Sequence, residues 1–131
     1  MNSFLASKTA VRTGYGLSVL VVLFLIMDFT MKLLALPIVI QTQAELGYPA
    51  YLAQPLGIVL LICTVLYVIP RTAVLGALLL TAYLGGAVAS HVRIGSPLFS
   101  HILFGVYLGL IVWGGLYLRE PRLQALIPFR R

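Results

Sequence analysis

The sequence predicts an all-α membrane protein, a four-transmembrane-helix antiparallel bundle with both termini in the cytoplasm. The first observation is composition: 61% of the 131 residues are hydrophobic and 9% are charged, whereas a soluble domain carries about a quarter charged residues. The second is the presence of four apolar runs, each near the roughly 20 residues that a helix needs to cross a bilayer. They cover about residues 13–40, 50–69, 72–94 and 97–118.

The third observation is the placement of the basic residues, which predicts the orientation. Those that flank the runs on one side are Lys8, Arg12, Arg71, Arg119, Arg122, Arg130 and Arg131. Basic residues favour the cytoplasmic side, so we expect the loops 41–49 and 95–97 on the outside of a bacterial-type inner membrane. The net charge of +6 therefore reflects topology and does not indicate nucleic-acid binding.

The first helix, about 13–40, is predicted as an uncleaved span. A signal peptide is disfavoured because the apolar run continues past Asp28 to Ile40 without a small-residue cleavage site. Lys32 follows Asp28 by four residues, so the two can pair on one helical face. Such pairing alone would explain how a membrane helix tolerates both charges. Pro37 predicts a kink or a frayed turn.

The second helix, about 50–69, contains Pro55 near its start, where a kink or frayed turn is also expected. Its lone Cys63 excludes a disulfide framework and is interpreted as a small buried apolar residue. Pro70 cannot continue the helix, and Thr72 is placed to N-cap the third.

Helices three and four, about 72–94 and 97–118, are joined by a short turn and must touch. Both carry small residues four apart, which let helix backbones approach closely in lipid. These residues are Ala82, Gly86 and Ser90 on helix three, and Gly105 and Gly109 on helix four. Packing within the bundle is favoured over a homo-oligomer or a membrane-protein partner held through Gly105 and Gly109.

Every predicted helix carries a polar group at a similar outer depth. With a rise of 1.5 Å per residue, Asp28 lies about 20 Å and Lys32 about 26 Å from the cytoplasmic end, and His91 lies about 28 Å from Thr72. Ionisable residues inside a membrane usually face the bundle interior and are functional candidates. The sequence therefore predicts one outward-facing polar cavity, with Tyr83 near its floor. Its predicted lining is Asp28, Lys32, Gln54, Ser90, His91 and His101, with Arg93 and Glu45 at the rim.

Such a cavity suits two kinds of chemistry. An aspartate, a lysine and two histidines can relay protons, since histidine titrates near neutral pH. The same groups can bind the polar head of an amphipathic molecule such as a quinone or a lipid. A metal site is disfavoured because no HxH or HxxxH spacing prepares it, and each histidine taken alone could simply bond to headgroups or water.

Four stretches carry a family resemblance: MDFTMKLL, ELGYP, the segment from Pro70 to His101, and WGGLYLREPRLQALIP. Together they resemble the DoxX-like family of small four-helix membrane proteins. Asp28 and Lys32 stand where the family shows an aspartate followed by lysine four residues later. His91 begins a stretch that matches its histidine-x-arginine-x-glycine pattern. The resemblance implies the four-helix fold. It also implies a relation to a quinol-oxidase subunit and to partners of membrane redox complexes. More distant relatives resemble receptor-assembly chaperones.

We expect one membrane domain over residues 1–131, whose cavity binds an amphipathic molecule, a quinone or a lipid, in support of a membrane redox process. The catalytic candidates are Asp28, Lys32, His91 and His101, and the ligand-binding candidates are Gln54, Tyr83, Ser90 and Arg93. Two alternatives stay open. One is a non-enzymatic assembly partner of another membrane protein, and the other an isomerase or cyclase acting on a lipid-soluble substrate.

Overall fold

The computed structural model describes residues 7–130, and within that range the chain is helical and has no β-strand. Four helices are long and apolar enough to cross a membrane. They cover Lys8–Leu33, Ala50–Val68, Pro70–Arg93 and Leu98–Arg119. The predicted all-helical membrane protein with four spans is therefore confirmed.

The α-helices are α1 (Lys8–Leu33), α2 (Pro37–Glu45), α3 (Ala53–Val68), α4 (Ala73–Arg93), α5 (Phe104–Arg119) and α6 (Pro121–Leu126). Short 3₁₀ turns lead into α3 and α4, and a π-helical turn over Leu98–Ile102 leads into α5. Thr72 precedes α4, but its hydroxyl donates to the Leu66 carbonyl at 2.8 Å and makes no cap bond. Thr72 is thus the N-cap residue of α4, as predicted, but its side chain does not cap the helix.

The first predicted helix is two helices in the structure. α1 ends at Leu33, and Pro37 is the first residue of α2. Proline lacks the N–H that a continuing helix needs and drives the residue before it into extended conformation, as found for Leu36 with ψ 146°. Ala35 adopts a left-handed φ of 49°. The helix therefore ends before Pro37, where a kink was expected, and α2 is a separate helix whose residues line a cavity with α1 and α4.

The bundle core lies where α1 and α4 each pack against α3 and α5. Its most deeply buried side chains are Val21, Leu25, Leu60, Tyr67, Leu80, Val112 and Leu116. Large apolar side chains also cover the outer faces of the long helices, among them Leu20, Ile62 and Leu78. An apolar exterior of this kind suits contact with lipid tails.

Two of the close helix approaches that glycines allow involve α5. A Cβ at Gly14 would lie 2.7 Å from the Gly115 carbonyl oxygen, so α1 and α5 touch through their backbones there. A Cβ at Gly105 would lie 3.1 Å from the Leu84 carbonyl oxygen of α4, whereas one at Gly109 would meet nothing within 4 Å. Gly105 thus packs within the bundle, as the sequence favoured.

Candidate functional site

A cavity of about 410 Å³ lies at the end of the bundle where α1 ends and α2 begins. This volume falls in the range of about 300–1,000 Å³ typical of small-molecule sites. One part of the lining is polar and comprises Asp28, Lys32, Thr42, Gln43, Tyr48, Tyr83, Ser90 and His91. The other part is apolar or small and comprises Met31, Ile38, Val39, Leu46, Leu56, Ala82, Gly86 and Ala87. The wall therefore offers both polar and apolar side chains to a bound molecule.

Asp28 and Lys32 form an ion pair in the α1 wall, with Nζ bonded to Oδ1. Their side chains are 29% and 16% exposed, respectively. The predicted pairing four residues apart is confirmed. The Lys32 ammonium also lies 6.0 Å from the centre of the Tyr83 ring, at the outer limit of a cation–π contact. The two charges compensate each other within one helix turn.

Gln43 of α2 is 5% exposed, and neither its amide nitrogen nor its amide oxygen has a hydrogen-bond partner among the described residues. Buried polar groups in proteins are almost always hydrogen-bonded, and leaving one unpaired costs about 1–3 kcal/mol. Gln43 lines the cavity. A carboxamide that is both donor and acceptor therefore stands unpaired in the lining of the cavity that also contains the ion pair.

The α4 wall places hydroxyl groups at the cavity. Ser90 donates to the Gly86 carbonyl at 2.8 Å and is also hydrogen-bonded to the Tyr48 hydroxyl. The small residues Ala82, Gly86 and Ser90 all line the cavity, and a Cβ at Gly86 would meet nothing within 4 Å. The expectation that this row packs against another helix is therefore wrong, because its small side chains make room for the cavity.

The two histidines meet at the outer edge of the site. Their ring centres are 5.7 Å apart in an edge-to-face arrangement. His91 lines the cavity, and its Nδ1 is hydrogen-bonded to Ser96 Oγ at 3.0 Å. His101 is exposed, bonded through Nδ1 to Ser100, and outside the lining. The turn that follows α4 brings the two histidine rings together, but only His91 lines the cavity.

Three other predicted residues lie around the cavity and do not line it. Gln54 is exposed and donates to the Leu33 carbonyl at the end of α1, at 3.3 Å. Arg93 is exposed and donates to the Leu46 carbonyl just after α2. Glu45 is exposed at the end of α2. Gln54 and Arg93 therefore hydrogen-bond to the backbone on either side of α2.

Thr42, Gln43 and Tyr48 are the polar lining residues that sequence reasoning missed. All three fall in the stretch 41–49 that was expected to be an external loop. The available signal was Pro37, which suits the first position of a new helix. A helix starting there would have placed Gln43 on an element packed against the bundle.

Within the described chain, no group of three or more His, Cys, Asp or Glu side chains is placed to hold a metal ion. Comparison with known protein families matches residues 16–115 to the DoxX-like family. The chain belongs to the DoxX-like family. The matched region contains every residue that lines the cavity, so the site is part of the DoxX-like domain. Neither the curated proteins nor the solved structures compared with the chain gave a match.

Proposed function

We propose that this DoxX-like protein binds the polar head of a small amphipathic molecule, a quinone or a lipid, in the cavity, in support of a membrane redox process. The observation that carries the proposal is the unpaired carboxamide of Gln43. Both amide atoms are covered by protein in this structure, so the Gln43 side chain would turn toward the cavity to pair with a ligand that carries a neighbouring donor and acceptor. The apolar part of the wall, including Met31 and Leu56, would hold the ligand's hydrocarbon portion.

The charges of the lining favour a neutral head group. Asp28 and Lys32 neutralise each other, and the Gln43 carboxamide and the Ser90 hydroxyl are uncharged groups. A net charge on the ligand would be buried without a partner, which is costly in an apolar setting. The site therefore favours hydroxyl and carbonyl groups over phosphate or ammonium.

The predicted topology places this site toward the outer leaflet. In it, the four spans alternate in direction and both termini are cytoplasmic, in a bacterial-type inner membrane. The support is the basic set that includes Lys8, Arg12, Arg71 and Arg122, because such residues favour the cytoplasmic side. The cavity is at the bundle end remote from the start of α1.

The polar residues take distinct roles in this proposal. Asp28, Lys32 and His91 exchange protons with the head group or hydrogen-bond to it, while His101 connects His91 to the outside. Tyr83 and Ser90 contact the ligand. Catalysis by an isomerase or cyclase would use the same cavity and needs the same binding step. The assembly alternative is less favoured, because one glycine of its proposed contact pair already packs against α4.

The test compares two glutamine variants of the purified protein in detergent. Decylubiquinone, as a short-chain quinone, and diacylglycerol, as a neutral lipid, serve as probes, and native mass spectrometry measures binding. Gln43→Leu should weaken binding of the recognised probe by about 10–100-fold, because hydrogen bonds of this kind contribute about 1–3 kcal/mol. Gln41→Leu is the matched control, since Gln41 lies on the same helix, is exposed and is not part of the lining. Equal binding by both variants, or no binding of either probe by the unmodified protein, would refute the proposal.

A further inference from the structure

A second cavity, of about 220 Å³, lies at the opposite end of the bundle between α1 and α3. Its apolar side is formed by Val19, Val22, Leu23 and Val68, and Arg119 of α5 lies at its polar end. At about 30 Å³ per water-sized group, it has room for a small polar group and a few methylene groups. The cavity thus joins one cation to an apolar groove.

The Arg119 guanidinium is held in place from three sides. Its Nε–H donates to Ser18 Oγ at 3.2 Å, and its Cζ lies 5.2 Å from the Tyr15 ring centre and 5.6 Å from that of Tyr67. Ser18 Oγ lies 3.0 Å from the Tyr67 hydroxyl, which donates to the Val112 carbonyl at 2.7 Å. This chain of hydrogen bonds fixes the guanidinium before any ligand arrives.

The charge of Arg119 has no protein counterion in the part of the chain that the structure describes. The ion pair found among residues 7–130 is Asp28–Lys32, in the other cavity. A guanidinium carries five N–H donors, and within residues 7–130 only the Nε–H of Arg119 is used. Arginine is suited to bind planar or tetrahedral oxyanions through paired N–H groups.

We propose that this second cavity binds the phosphate of one anionic phospholipid at Arg119, with an acyl chain along the groove of Val19, Val22, Leu23 and Val68. Charge complementarity selects the anion, and the adjoining apolar groove selects a lipid over free phosphate. The bound lipid joins α1, α3 and α5 at this end of the bundle. The inference does not depend on the ligand of the first cavity.

The experiment measures binding of phosphatidylglycerol to the full-length protein in detergent by native mass spectrometry. Phosphatidylcholine and inorganic phosphate are the comparison probes. The unmodified protein should retain one phosphatidylglycerol in preference to either. Arg119→Gln should weaken that binding by about tenfold or more, because charge-assisted hydrogen bonds are strong. Arg122→Gln removes an exposed charge just beyond α5 and should leave it unchanged.

Two further variants separate the sources of the signal. Val19→Trp fills the groove from an exposed position and should weaken lipid binding while leaving the binding of inorganic phosphate unchanged. Arg119→Lys keeps the charge but loses the paired donors, so its lipid affinity should lie between those of Arg119→Gln and the unmodified protein. If Arg119→Gln fails to fold, Arg119→Lys takes its place as the test of the proposal. Equal losses in Arg119→Gln and Arg122→Gln, full affinity in Arg119→Lys, or inorganic phosphate binding as tightly as the lipid, would overturn the proposal.

Discussion

Replacing Gln43 with leucine should make the ligand-free protein more stable. The carboxamide is buried and both of its polar atoms are unpaired, a situation that costs about 1–3 kcal/mol. Leucine has a similar size and no polar group to desolvate, so the substitution removes this cost. We therefore expect the free energy of unfolding to rise by about 1–3 kcal/mol.

The assay is reversible unfolding of the purified, delipidated protein in a detergent series, followed by circular dichroism. Gln41→Leu is the control and should change stability by less than about 0.5 kcal/mol, as exposed substitutions usually do. Adding the recognised ligand at about 100 times its Kd should stabilise the unmodified protein by about 2.7 kcal/mol and Gln43→Leu by much less. A ligand-free Gln43→Leu protein less stable than the unmodified one would refute this account of the carboxamide.

Three other substitutions test the surroundings of the site and the bundle. Asp28→Asn should lower the free energy of unfolding by about 1–3 kcal/mol, because it leaves the Lys32 charge unpaired. Adding Lys32→Met should restore most of this loss in the same unfolding assay. A double variant that shows no recovery would contradict the pairing. Gly14→Ala should lower the free energy of unfolding by about 1–3 kcal/mol through overpacking against α5. Gly16→Ala has open space around the added Cβ and should be neutral or slightly stabilising. Equal effects of the two variants would show that α1 and α5 do not approach closely at Gly14. Arg93→Gln should weaken ligand binding a few-fold by releasing the carbonyl after α2, with unchanged binding as the contrary result.

The four spans and the polar pairs were predictable because they depend on short-range rules. The Asp28–Lys32 pair follows from helical spacing, and the meeting of His91 and His101 follows from a short turn between two helices. These predictions need no knowledge of how distant segments pack. The structure accordingly contains both contacts.

The features that depend on tertiary packing were not predictable in the same way. Proline can kink a membrane helix or end it, and the outcome at Pro37 depends on whether α2 can pack elsewhere. A small residue can serve helix contact or leave open space, and Gly86 does the second. The position of Gln43 follows from the break at Pro37. Because the sequence analysis did not predict a new helix starting there, it did not identify Gln43 as a lining residue.

The Asp28–Lys32 pair has an electrical consequence. A lone charge crossing the full membrane potential gains or loses about 2.3 kcal/mol per 100 mV. The pair carries opposite signs one helix turn apart, so the forces of the field on its two charges nearly cancel. If the ligand is neutral, its entry and exit displace almost no charge. Occupancy of the cavity would then follow the amount of ligand in the membrane, whether or not the cell is energised.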